Sequence, residues 1–300
     1  MNHSMVIIVT LCATVFFALS TALKHRSAST LPESSAKGRA RLGHFVTATL
    51  AHRWYLAGLA ADAVGLALQA LALHIGAVSV VQPLLATALL FSLVLNHAAA
   101  RTRISRAELG WGALLAASVV AFLVWSGAST AGIHASTADR GAAVAVAILA
   151  VVLGTICVIV ARKLPSGARA ALLGVVVGTI YACTAVLIKA VTSVAARGGL
   201  AAVLTSWQLP VLILAGAAGL VLAQVAFRSG PLNASLPAMA TLDPLLSVVL
   251  GVIVYDEQLR TGLWDTAGEV VSLAALALSA VALSRLTADR EEVQAASARG

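Results

Sequence analysis

Nine stretches of this 300-residue chain are apolar over roughly the length that a bilayer demands of a helix: residues 5–23, 54–73, 77–95, 109–125, 142–161, 168–188, 209–227, 232–254 and 267–283. About 20 helical residues cross a hydrocarbon core of about 30 Å. Inside that core no water is available to satisfy the backbone, so a crossing segment is either a helix or a strand of a closed barrel. These runs are continuous and lack the in-and-out alternation of barrel strands, so each is read as a helix. The fold class expected is therefore an all-α polytopic membrane protein with nine transmembrane helices. Composition agrees: charged residues make up 11% of the chain, against about 25% in a soluble domain. Little material is left for a soluble domain. The first run is expected to be a retained helix rather than a secretory signal, because residues 1–4 carry no Lys or Arg and the cations follow the apolar stretch.

Charge and aromatic placement orient the runs. With the N-terminus outside, sixteen of the twenty Lys and Arg residues fall on inside segments, and only Arg140, Lys189, Arg197 and Arg260 fall outside. That bias predicts an external N-terminus and a cytoplasmic C-terminus in the plasma membrane. Trp54, Trp111, Trp125, Trp207 and Trp264 all lie at or beside a proposed helix end, at the headgroup level that suits an amphipathic ring. The net charge of +8 is spread between apolar runs, without a basic stripe interleaved with stacking aromatics, so no nucleic-acid partner is expected. Cys12, Cys157 and Cys183 lie inside apolar runs without CxxC spacing and read as small packing residues.

The chain also matches itself. Residues 65–87, GLALQALALHIGAVSVVQPLLAT, align without a gap on residues 219–241, GLVLAQVAFRSGPLNASLPAMAT, with eight of 23 positions identical. Extended backwards, Trp54 stands near Trp207, and Lys24 closes the first run as Lys189 closes the sixth. Helices one to four thus correspond to helices six to nine. Mates are five apart, an odd number, so each crosses in the opposite sense to its partner and the repeat is inverted, an architecture characteristic of many secondary transporters. The organisation expected is one transmembrane domain: repeat 1 over 5–126, an extracytoplasmic linker over 127–140, a connecting fifth helix over 141–162, repeat 2 over 167–285 and a cytoplasmic tail over 286–300.

This arrangement resembles the drug/metabolite transporter (DMT, EamA-like) superfamily, and within it the NIPA-like magnesium transporters. The likeness is carried by the Lys24-ended first helix, by Trp54, Gly58 and Gly65 in the second, by Pro83, Pro237 and Lys189, and by residues 242–259, LDPLLSVVLGVIVYDEQL, whose proline-to-glutamate segment closes on Glu257. The resemblance implies nine helices and transport of a small solute. In one place the sequence departs from it. The NIPA-like pattern sets an acid just after the glycine aligned with Gly65, where this chain has Leu66, its own acid being Asp62, one turn earlier. The superfamily pattern survives that change, but magnesium specificity is not carried by it.

Two acids stand near mid-span, Asp62 in the second run and Asp243 in the eighth. A centred Asp costs about 2.5 to 3.5 kcal/mol on the insertion scale, so two of them imply either function or structural hydrogen bonding between helices. Gly65 and Gln69 share a face with Asp62, and Gln224 offers a second amide from helix seven, either as ligands or as interhelical glue. Pro83, Pro237 and Pro244 each remove a backbone donor, freeing the carbonyls of Ser79, Asn233 and Ala240, although prolines also serve simple kinks. The substrate- or ion-binding candidates are thus Asp62, Asp243, Gln69, Gln224 and Pro244. Asp62 and Asp243 are also the candidate metal ligands, since carboxylates and carbonyls are hard oxygen donors. Lys189 reads as snorkelling to the outer interface, and Gly174 and Gly178 form a GxxxG that permits close helix approach.

No P-loop, HExxH, nucleophile elbow or dinucleotide fingerprint occurs. The chain is therefore expected to be a gradient-driven transporter or facilitator, not an enzyme, with no cofactor. Its substrate reads equally as a divalent cation or as a small metabolite or drug. A non-transporting membrane assembly protein is the alternative class, and it would need neither mid-span acids nor an inverted repeat. The partners expected are the lipid bilayer and the small-molecule or cation substrate, and a homodimer is an arrangement open to such a chain.

Overall fold

The computed structural model describes residues 3–30, 53–100, 103–127, 140–260 and 262–297. Most of the 127–140 linker and the last three residues of the tail lie outside these ranges. Among the described residues every regular element is a helix: α1 His3–Thr30, α2 Arg53–Ile75, α3 Val78–Leu85, α4 Ala88–Ala100, α5 Arg106–Trp125, α6 Arg140–Ala161, α7 Ser166–Leu204, α8 Gln208–Ser229, α9 Leu232–Tyr255 and α10 Leu263–Ser297. Among the described residues eight helices are long and apolar enough to cross a membrane, α3 and α4 together supplying one of them over Val78–Ala98. The sequence predicts a ninth over 142–161. There α6 forms over Arg140–Ala161, 22 residues, with a continuous apolar stretch over Ala147–Ala161.

The outward faces of α6 and α8 show why this bundle needs lipid. Val151 on α6 and Leu214 on α8 are 68% and 69% exposed, and Ile148, Ile213 and Leu220 accompany them. A contiguous apolar surface of this kind on a soluble monomer would mark an interaction site or drive aggregation. Against acyl chains it is the solvated surface. The buried interior gathers Leu73, Val78, Val81, Ala185, Val254 and Leu276 into one cluster, and Leu173, Val177, Ala226 and Met239 into a second.

Local chemistry sets several helix ends. Ser105 and Glu108 form a reciprocal capping box at the start of α5: Glu108 N–H donates to Ser105 Oγ at 3.2 Å, and Ser105 N–H donates to Glu108 Oε2 at 2.7 Å. The third run is interrupted between Leu85 and Ala88, where Thr87 N–H reaches back only three residues, to Leu84 O at 3.0 Å. Pro83 sits just before this tight turn. In α7 the helical conformation fails at Gly199, φ +65°, and the segment beyond it leaves Leu200 and Leu204 exposed. The last helix does not stop where its span does. α10 continues to Ser297, with Ala288 fully buried, so the expected 286–300 tail is helical over its first twelve residues, 286–297.

Neighbouring helices pair in a matched pattern. α1 packs against α2, as α7 packs against α8; α1 packs against α3 and α4, as α7 packs against α9. Across the molecule α3 packs on α9, and α5 packs on α10. α7 and α9 approach each other closely. A Cβ added at Gly174 would lie 2.6 Å from the Ser235 carbonyl, and one at Gly178 would lie 2.8 Å from Leu242 Cβ. The GxxxG of α7 thus brings two backbones together, as its spacing predicts.

Candidate functional site

Among the described residues three sets of polar side chains stand out within the bundle, the first being the acids that the sequence singles out, Asp243 and Asp62, on two separate helices. On α9, Asp243 is half-buried and accepts a hydrogen bond from Ser247 Oγ, one turn on, at 3.3 Å. Its backbone nitrogen lies beside Gly178, where an added Cβ would come within 3.4 Å of it. Pro244 follows it, buried, with Pro237 two turns earlier in the same helix. Asp62 is half-buried on α2, one residue after the buried Ala61; Gly65, one turn further, abuts the Phe17 ring of α1, and Gln69 is half-buried beyond it. The helices carrying Asp62 and Asp243 both pack against α7 and α3. Gln224 is exposed on α8. Among the described residues, no three His, Cys, Asp or Glu side chains gather into a metal site.

The second grouping is at the end of the bundle where α2 turns into α3. α9 ends at Asp256, which adopts the left-handed conformation, φ 50°, and Glu257 N–H reaches back to Gly251 O at 3.3 Å. This turn folds the Glu257 side chain under its own helix and onto the first turn of α3. Val78 N–H donates to Glu257 Oε1 at 2.7 Å, and Ser79 N–H donates to Oε2 at 2.9 Å. Lys189 of α7 completes the seat. Its Nζ donates to Glu257 Oε1 at 2.7 Å and to the Gly76 carbonyl at 3.1 Å, and it stands 4.7 Å from the centroid of the Tyr255 ring. Tyr255 in turn donates its hydroxyl to Val186 O at 2.7 Å. A carboxylate held by an ammonium and two helix-N-terminal N–H groups is a strongly charge-assisted arrangement.

This placement corrects the reading of Lys189 as a snorkelling cation. The side chain turns inward because the Glu257 carboxylate and a free carbonyl at the α2–α3 turn stand within its reach. The sequence carries little signal for the pairing. The partners are 68 residues apart, and each sits at an apolar run's end, where a charge ordinarily reaches water. Glu257 enters the sequence reading only as the close of a motif.

The third grouping links α4 and α5. His97 is buried, its Nδ1 is 2.9 Å from Leu93 O, and its Nε2 lies 3.5 Å from Glu108 Oε2. Glu108 therefore serves both as helix cap and as histidine partner, a double role that the sequence reading missed. Glu269 of α10 was missed as well: it lies two residues inside the last apolar run and is 7% exposed.

Span-length apolar helices packed around an inward-turned ion pair and half-buried acids define a multi-span α-helical membrane protein. The chain is 28% identical over 284 residues to a protein of Corynebacterium glutamicum described as uncharacterized, covering 95% of this chain and 96% of that one. No protein-family model and no solved structure matches it.

Proposed function

We propose that the protein is a secondary transporter or facilitator of the drug/metabolite type, moving a small solute across the plasma membrane by alternating access between two inverted halves. The observation that carries this reading is the matched packing of the two aligned segments. Helices that are mates in the sequence alignment pack on one another, α3 on α9 and α5 on α10, while α1–α2 has its counterpart in α7–α8. Two-fold-related halves meet in this way along their axis, and in inverted-repeat transporters substrate binds there, near the midplane. The interrupted third span supports the same reading, since irregular backbone at membrane depth is tolerated where it is buried in protein or lines a cavity. On this reading α6 is a ninth, connecting span, the N-terminus is outside and the C-terminus cytoplasmic.

Asp243 and Asp62 are the proposed substrate or ion ligands, from opposite halves, with Gln69, Gln224 and the backbone freed by Pro244 as secondary contacts. Two carboxylates with water suit a divalent cation, which keeps part of its hydration shell, and one exchangeable carboxylate suits proton-coupled movement of a metabolite. Purified protein in proteoliposomes, screened against divalent cations and small metabolites with and without an imposed pH gradient, tests the reading. Flux above protein-free vesicles that falls in Asp243→Asn supports it. Transport of nothing in the screen, or full flux in both Asp243→Asn and Asp62→Asn, refutes the function or the site respectively.

A further inference from the structure

We propose that the Glu257 seat is a gate: Glu257, held by Lys189 and by the backbone N–H groups of Val78 and Ser79, closes one end of the space between the two halves. The proposal rests on the transport reading above, because a gate has meaning only where two halves move. Lys189 and Glu257 both belong to the second half, whereas Gly76, Val78 and Ser79 belong to the first. Every bond from the pair to Gly76, Val78 or Ser79 therefore crosses between the halves. A second crossing lies at the same end. Arg260 N–H donates to Ser126 O at 3.1 Å, and the Arg260 side chain lies over Gly127, φ +51°, filling the place that a Cβ there would take. Further along this end, the Trp125 ring covers Gly268.

The chemistry suits a contact that is made and broken. No side-chain bulk interlocks at the seat, because Gly251 leaves the space into which Glu257 folds: a Cβ there would meet the carboxylate and would lie 3.2 Å from Ser79 N. Three donors converge on one carboxylate, and all can be handed to water when the end opens, so opening exchanges these bonds for bonds to water instead of leaving them unmade. Directly beneath the seat Ser79 is 1% exposed and its hydroxyl has no hydrogen-bond partner. The seat therefore stands between bulk water and a buried polar position.

The seat also makes a prediction that an ordinary ion pair does not. Exchanging the charges, with Lys189→Glu and Glu257→Lys together, would restore a simple pair but would set an ammonium against two N–H donors. The double variant is expected to stay open.

The test uses the full chain in nanodiscs, with Cys12, Cys157 and Cys183 replaced by Ala and a single reporter, Ser79→Cys, exposed to a hydrophilic maleimide. Ser284→Cys, buried far along α10 at 3% exposure, serves as the control position. Glu257→Gln and Lys189→Met are each expected to speed labelling at Ser79→Cys by about tenfold or more, leave Ser284→Cys unchanged, and show no recovery in the charge exchange. Two independent variants are used so that failure of one to fold leaves the other to decide. Unchanged labelling at Ser79→Cys, an equal rise at Ser284→Cys, or protection restored by the charge exchange overturns the gate. Parallel flux measurements on the chain without reporters separate the two readings: flux without a labelling change removes the gate and keeps the transporter, and a labelling change in a protein that transports nothing keeps the seat as a contact that opens but removes the transport reading.

Discussion

A carboxylate at the end of a membrane helix is inexpensive while it reaches water, yet the Glu257 side chain keeps only 8% of its exposure. Three charge-assisted donors offset that loss, and each such bond contributes about 1.5 to 3 kcal/mol. Glu257→Ala strands two backbone N–H groups and the Lys189 ammonium together, so thermal unfolding in detergent should register a loss of roughly 2 to 4 kcal/mol. Gly251→Ala should reproduce much of that loss without touching a charge, because the added methyl occupies the place of the carboxylate. Asp243 poses the opposite case. Its one side-chain bond within the helix, from Ser247 at 3.3 Å, is long, and removing its charge while keeping its shape relieves a burial cost. Asp243→Asn is therefore expected to express and unfold like the parent protein while losing coupled flux. A variant that both folds and transports normally would remove Asp243 from the site.

Among the elements, α7 and α9 depend most on the absence of side chains. The Gly174 and Gly178 positions face the Ser235 carbonyl and Leu242 at distances that no Cβ tolerates. Gly178→Val must push α9 away or distort α7, a strain of typically 1 to 3 kcal/mol, and it would displace the backbone that positions Asp243. Reduced thermal stability together with lost flux is the expected result, measured beside Gly216→Val, where an added Cβ meets nothing within 4 Å. The end of α9 offers a change of opposite sign. Asp256 occupies the left-handed region at φ 50°, which costs a residue with a Cβ on the order of 1 kcal/mol relative to glycine. Asp256→Gly should leave the Glu257 seat intact and raise the unfolding temperature slightly; a fall would mean that the Asp256 side chain contributes more than its strain removes.

For the whole molecule, the contacts at the Glu257 end set residues 76–79, 126–127, 189 and 257–260 together. These belong to segments that the charge bias places outside. Single cysteines at Gln258 and Lys163, both exposed, should therefore react oppositely with an impermeant reagent in intact cells, Gln258→Cys labelled and Lys163→Cys protected. The reverse pattern would invert the topology. Truncation after Asp289 keeps Ala288, the last buried side chain described on α10, and should leave membrane accumulation and flux near those of the full chain. Failure of the truncated protein to accumulate would show that the continuing helix holds the bundle together.

Hydrophobic run length and charge spacing determine by themselves that the described chain is helical and where most of its helices begin and end, and the GxxxG at Gly174 and Gly178 permits the close approach that the structure shows. These properties follow from interactions with the solvent and from helical periodicity, both of which act locally along the chain. The break in the third span is less legible, because Pro83 permits a kink but does not say where the helix resumes; the turn at Ala86 and Thr87 is settled by packing against α1 and α9. Only the tertiary structure decides that Lys189 turns inward to Glu257, that His97 meets Glu108, and that Glu269 is enclosed. A charged residue at a helix end is equally stable in water or in a well-formed pair, and the choice depends on whether donors from distant parts of the chain arrive at the right distance. Here they come from Val78 and Ser79, backbone groups whose identity no side chain announces.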